Sequence, residues 1–128
     1  MNRRGFLAVL LHVQVAIVLG WTDAEVGSHP WPAFGIPPGK TDYFNIAPIP
    51  RYDTDWSATG PLIERYGIEL SVAFPGDFGQ DGFAWSAQTG ADSRSPSPIT
   101  VPHVGQTPLL AVCYLLLALH KAGKLGTP

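Results

Sequence analysis

Asp53, Asp55 and Glu64 lie close together in the chain, and three carboxylates around one helix start can do general acid-base work if a pocket raises the pKa of one of them. The same residues have simpler uses. Asp53 or Thr54 can cap the orphan amides of a following helix, Asp55 adds first-turn charge that suits the helix dipole, and Glu64 can pair with Arg51 or Arg65 on the surface. Capping is the expectation carried forward, with a carboxylate enzyme as a rival. Gly35-Ile36-Pro37-Pro38-Gly39-Lys40-Thr41 ends like a phosphate loop but is one residue short of G-x-x-x-x-G-K-S/T, and its prolines delete amides that would cradle phosphate. Asp77-Phe78-Gly79 copies a kinase tripeptide without the other kinase motifs, and Asp77 with Asp81 lacks the ligand set of a calcium loop. His12, His29, His103 and His120 are scattered at no ligand spacing, and Ser57, Ser71 and Ser86 lack a nucleophile-elbow context. No catalytic, cofactor-binding or metal-binding residue is assigned, and no cofactor is expected.

Binding through apolar surface is the remaining chemistry. Trp31, Phe34, Tyr43 and Phe44 sit in a stretch from Val26 to Tyr52 that carries prolines at 30, 32, 37, 38, 48 and 50. These aromatics either cover a core or form an exposed patch, with covering the expectation because large exposed apolar patches are rare on monomers. They are the candidate protein-binding residues. The single cysteine, Cys113, lies among apolar neighbours and reads as a packed, inert thiol.

Composition limits the partners. The chain has 128 residues, 45% of them apolar and 14% charged, which suits one domain with one core and an unusually uncharged surface. A formal net charge of -2 lacks the basic excess that phosphate neutralisation needs, so nucleic acid is not expected as a ligand. The first residues invite two readings. Asn2-Arg3-Arg4-Gly5-Phe6-Leu7 and the apolar run to Leu19 resemble an export signal over residues 1–24, whereas His12, Gln14 and the missing Ala-x-Ala site argue for a packed helix. As a helix, Phe6 to Leu19 reaches only about 21 Å, short of the roughly 30 Å hydrocarbon core, so a membrane span is not expected.

The elements follow from pattern and punctuation. A helix over 4–19 stops at Gly20, after which Trp21 packs back; Leu7, Leu10, Leu11, Val15, Val18 and Leu19 form its apolar face, with His12 and Gln14 on a partly wet one and a buried, hydrogen-bonded His12 as the alternative. Residues 26–52 form a Pro-rich loop with short extended pieces. A helix over 54–66 follows, in which Pro61 separates a first turn at 54–59 from a helix at 61–66, with Trp56, Leu62, Ile63 and Tyr66 facing inward. Ile68, Leu70, Val72 and Phe74 alternate with Glu69, Ser71 and Ala73, and Phe83, Trp85 and Ala87 repeat the period, so 68–74 and 83–89 pair as an antiparallel hairpin across a Gly- and Asp-rich turn. Residues 90–106 form a Ser/Pro loop with Ile99 or Val101 touching the sheet. Thr107-Pro108 caps and starts a helix over 108–122 that Gly123 ends. The fold class expected is α+β: a small antiparallel sheet packed by N-terminal, middle and C-terminal helices as a layered sandwich in one domain.

Asp53-Thr54-Asp55, Leu62-Ile63-Glu64-Arg65, Trp85 and Gly105-x-Thr107-Pro108-Leu109-x-Ala111, in that order and spacing, resemble the phage ABA sandwich domain family, including NinX-like phage proteins. Leu19-Gly20-Trp21 is similar to the end of that family's first helix. Pro50-Arg51-Tyr52 is similar to the approach to its Tyr-Ser-Thr-Asp segment, with Asp53 here in place of Ser. The resemblance implies a small phage- or prophage-encoded protein in the cytoplasm of a bacterial host, a layered helix-and-sheet fold and no enzymatic residues to carry over. The functional expectation is a non-enzymatic accessory protein that binds a protein partner or self-associates. An exported or membrane-attached protein using residues 1–24 as its signal is the first alternative, and an enzyme using Asp53, Asp55 or Glu64 the second.

Overall fold

The computed structural model describes residues 10–25, 32–89 and 102–123. They form helices α1 (Leu11–Val18), α2 (Trp56–Tyr66) and α3 (Pro108–Lys121) and strands β1 (Thr22–Glu25), β2 (Phe34–Ile36), β3 (Ala47–Pro48), β4 (Ile68–Ala73), β5 (Ala84–Thr89) and β6 (His103–Gly105). The strands make two three-stranded antiparallel sheets, β1–β2–β3 and β4–β5–β6, so the class is α+β. Contacts gather into two compact units that divide between Arg51 and Tyr52.

In the first unit, α1 ends as the glycine predicts. Gly20 takes a φ of +107°, a left-handed turn that a Cβ would oppose, while the Trp21 amide donates to Ala16 O at 3.0 Å and the Gly20 amide to Ile17 O at 3.1 Å. This Schellman closure turns Trp21 back into burial, where its ring lies over Gly35 of β2; a Cβ on Gly35 would stand 3.2 Å from Trp21 Cε3. The described helix spans Leu11–Val18, one residue short of the expected end, residues 4–9 lying outside the described part; His12 is buried with Val13, Val15 and Ala16, the alternative to a wet face. Strand β1 was not legible as a strand: Asp23 adopts a φ of +51° inside a bulge between Thr22 and Glu25, which breaks the period of two. The Pro-rich stretch holds short extended pieces as expected, β2 and β3, with a 3₁₀ turn at Tyr43–Asn45 between them.

The second unit is built on the hairpin. Asp55 is the cap of α2, its Oδ1 accepting from the Ser57 amide at 3.0 Å and the Ser57 hydroxyl at 2.6 Å, which corrects the assignment to Asp53 or Thr54. Pro61 does not divide the helix. Its missing amide deletes one bond from an exposed turn, and α2 runs through from Trp56 to Tyr66. The inner face centres on Thr59, fully buried with its hydroxyl donating to Tyr52 O at 2.7 Å, while Leu62, Ile63 and Tyr66 are half-buried. Trp56, expected inside, is exposed because it occupies the first helical position at the margin of that face. Gly67, with a φ of +62°, closes α2 and passes the chain directly into β4.

β4 and β5 pair in unbroken register from Ile68 with Thr89 to Ala73 with Ala84, one residue shorter at the turn end than 68–74 and 83–89. β6 adds a third strand inside the stretch expected to be loop; residues 90–101, with Ile99 and Val101, lie outside the described part. Thr107 caps α3 by accepting from the Leu110 amide at 3.2 Å, Pro108 occupies its first turn, and Gly123 (φ +72°) follows the end at Lys121, one residue from expectation. Leu109, Ala111, Val112, Cys113, Leu115, Leu116 and Leu119 are buried, and each leucine contributes about 1.5–3 kcal/mol of burial.

Candidate functional site

Side chains directly opposite in an antiparallel sheet share a face, so Val72, Trp85 and Gly105 form one row, and Leu70, Ala87 and His103 the next. Helix α3 lies over this face. A Cβ built on Gly105 would stand 2.5 Å from the Ala111 amide nitrogen and 2.9 Å from the Leu110 carbonyl carbon, so the helix backbone rests on the strand where that side chain would be. The helix packs on β5 and β6 and leaves β4 to α2. On this face burial therefore fades toward the turn, whereas Ala73, Ala84 and Ser86 on the opposite face are buried. Ile68, Thr89 and Ala87 are buried, Leu70 and Trp85 are half-buried, and Val72, Phe74 and Phe83 are exposed.

The uncovered end carries an aromatic cluster. Phe74 and Phe83, 59% and 63% exposed, meet edge to face with ring centroids 5.6 Å apart, and Phe78 projects from the connecting loop, also exposed. The alternation that predicted a half-buried strand predicted these two rings inside. The correction is that the apolar row continues beyond the reach of the covering helix. Phe78, standing alone in a polar turn, was the one sequence signal for an exposed ring there.

The loop is fixed by its own groups. Asp77 Oδ2 accepts from the Phe74 amide at 2.9 Å, Gln80 Nε2 donates to Phe74 O at 2.8 Å, and Gln80 Oε1 accepts from the Phe78 amide at 2.9 Å. The Gly76 amide donates to Gln80 O at 2.8 Å, and Gly76 and Gly79 supply left-handed backbone at φ +88° and +84°. Such prior ordering lowers the entropy cost of presenting the rings to a partner. Between Ile68 and Thr89 the charged side chains are Glu69, Asp77 and Asp81, all exposed, with no Lys, Arg or His.

The residues singled out from sequence scatter. Phe34 is half-buried in β2, and Phe44, whose amide donates to Asp42 Oδ1 at 2.9 Å, has a side chain 95% exposed, so it covers no core. Tyr43 lies in the 3₁₀ turn, and Trp31 is outside the described residues. Asp55 is an exposed cap whose carboxyl is held below the ordinary Asp value by the Ser57 hydroxyl and amide. Glu64 is exposed on α2 and Asp53 is half-buried. Cys113 is a free, fully buried thiol, pushed up to about 12 by desolvation and by the nearby Asp53 charge, which keeps it protonated and unreactive at neutral pH. His103 Nδ1 is buried without a hydrogen-bond partner among the described residues. Among the described residues no group of three or more His, Cys, Asp and Glu is placed to hold a metal, and no helix is long and apolar enough to cross a membrane. Comparison of the chain with protein-family models, with curated proteins and with solved structures finds no match. The physical case for a site therefore rests on the aromatic end of the hairpin.

Proposed function

We propose that the chain is a non-enzymatic protein-interaction module whose binding surface is the hairpin end formed by Val72, Phe74, Phe78 and Phe83. A single observation carries this reading: the paired rings of Phe74 and Phe83, and Phe78 on the loop between them, stand exposed where that loop is ordered by its own hydrogen bonds. Aromatic anchors on rigid supports dominate binding energy at protein interfaces, and exposed large apolar side chains close together in a fold mark contact sites. Asp55 in a capping role and Cys113 held protonated fit a chain that does not use them for chemistry. The resemblance to the phage ABA sandwich family supports a phage- or prophage-encoded accessory role in the cytoplasm of a bacterial host, and both belong to the proposal.

A photo-crosslinking amino acid placed at Phe78 tests the surface in cells of the source organism. The expected result is one discrete adduct band at position 78 that disappears on adding Phe83→Ala. Absence of any adduct at 78, with adducts from a probe at Phe44 in the first unit, would move the surface elsewhere. Absence at both positions, with a monomer in sedimentation, would remove the interaction reading.

A further inference from the structure

Charge decides which occupant suits the aromatic hairpin end. The described residues of the second unit carry six carboxylates, Asp53, Asp55, Glu64, Glu69, Asp77 and Asp81, against Arg65 and Lys121. Arg65 precedes the far end of β4 and already sits over the Tyr66 ring at 5.1 Å. At the hairpin end itself the charged side chains among the described residues are Asp77 and Asp81 alone, both exposed, with Asp77 Oδ2 accepting from the Phe74 amide at 2.9 Å. A second copy would bring two acidic rims together around the same rings, and an anionic lipid surface would meet the same repulsion. A cationic segment gains from both features, because Lys or Arg is drawn to the carboxylates and to the faces of exposed rings, while its apolar side chains cover the phenyl groups.

We infer that the hairpin end docks a basic, apolar protein segment, with Phe74, Phe78 and Phe83 as anchors and Asp77 and Asp81 as the selecting charges. This rests on the interaction role proposed above and adds the chemistry of the partner. Cations outside the ring contacts reach the carboxylates at the rim, so the attraction is salt-dependent, with screening over about 10 Å at 0.1 M ionic strength.

The test uses the full chain labelled with 15N and two amphipathic peptides of equal length with identical Leu and Phe positions, the polar positions being all Lys in one and all Glu in the other. The expected result is amide shifts from Phe74 to Phe83 on adding the Lys peptide and none with the Glu peptide. Phe83→Ala weakens binding by about tenfold, as for an aromatic anchor. Asp81→Asn weakens it about two- to fivefold and flattens its salt dependence, as for an exposed ion pair. Far-ultraviolet circular dichroism checks that both variants fold. Equal binding of both peptides at Phe74 to Phe83 would overturn the charge selection while leaving an interaction surface in place. Concentration-dependent shifts at the same amides without peptide would assign the surface to a second copy instead. Shifts with zwitterionic phosphatidylcholine vesicles alone would assign it to lipid, and silence of these amides toward every probe in a monomeric chain would overturn the inference and the surface together.

Discussion

The Asp55 carboxylate illustrates how a residue type that suggests catalysis is claimed by a local backbone need. The first amides of α2 require acceptors, and Asp55 meets that need with the Ser57 amide and hydroxyl, which hold its pKa below the ordinary 3.8. Because the folded-state value lies below the unfolded one, the charged form contributes stability above the ordinary Asp range, and that contribution is lost as pH falls through the lowered value. Asp55→Ala is therefore expected to destabilise the chain at pH 7, with the gap to the parent closing in strong acid; urea midpoints across pH 2 to 7 measure it. Cys113 runs the other way. Its folded value, about 12 against 9.0, favours the neutral thiol, so its contribution is complete below pH 9 and declines as pH rises toward 12. A thiol reagent at neutral pH should label the native chain only at the rate of unfolding, and Cys113→Ala should lose less stability than the parent between pH 9 and 12.

At the scale of elements, what was legible is what neighbours in sequence decide. Gly20 stopping α1, Thr107 and Pro108 starting α3, and the alternation that pairs β4 with β5 each depend on a few adjacent residues, and all appear as expected. What sequence could not supply was reach. Nothing local indicates that α3 covers β5 and β6 yet stops short of Phe74 and Phe83, or that a three-residue strand, β6, emerges from a stretch punctuated by Ser and Pro. The spacing Gly105-x-Thr107-Pro108-Leu109-x-Ala111 is instructive here. Gly105 admits the Ala111 backbone, Thr107 caps, Pro108 opens the helix, and Leu109 and Ala111 are buried, so the motif describes how a helix docks and names no chemistry. Gly105→Ala is expected to cost about 1–3 kcal/mol, because the new methyl collides with rigid backbone and not with a movable side-chain end; thermal and urea unfolding measure it. Thr59→Val should cost about 1–2 kcal/mol by leaving Tyr52 O without its 2.7 Å donor.

For the molecule as a whole, low overall charge is distributed unevenly, and that matters more than the formal -2. The second unit joins an acidic set of side chains to exposed rings, a combination that favours selective contact over indiscriminate adhesion. Phe78 is exposed and has no ring partner among the described residues, so Phe78→Ser is expected to change unfolding free energy by no more than about 0.5 kcal/mol. The same variant should raise the protein concentration at which light scattering begins, because one of the exposed rings is gone.

The turn between β4 and β5 is shaped by bonds that begin and end between Phe74 and Gln80. It depends little on what lies beyond its two stems, and so behaves as a cassette. Cut out with Ala73 and Ala84 as junctions and spliced into the hairpin of an unrelated host protein, it should keep its shape and carry the proposed docking surface along.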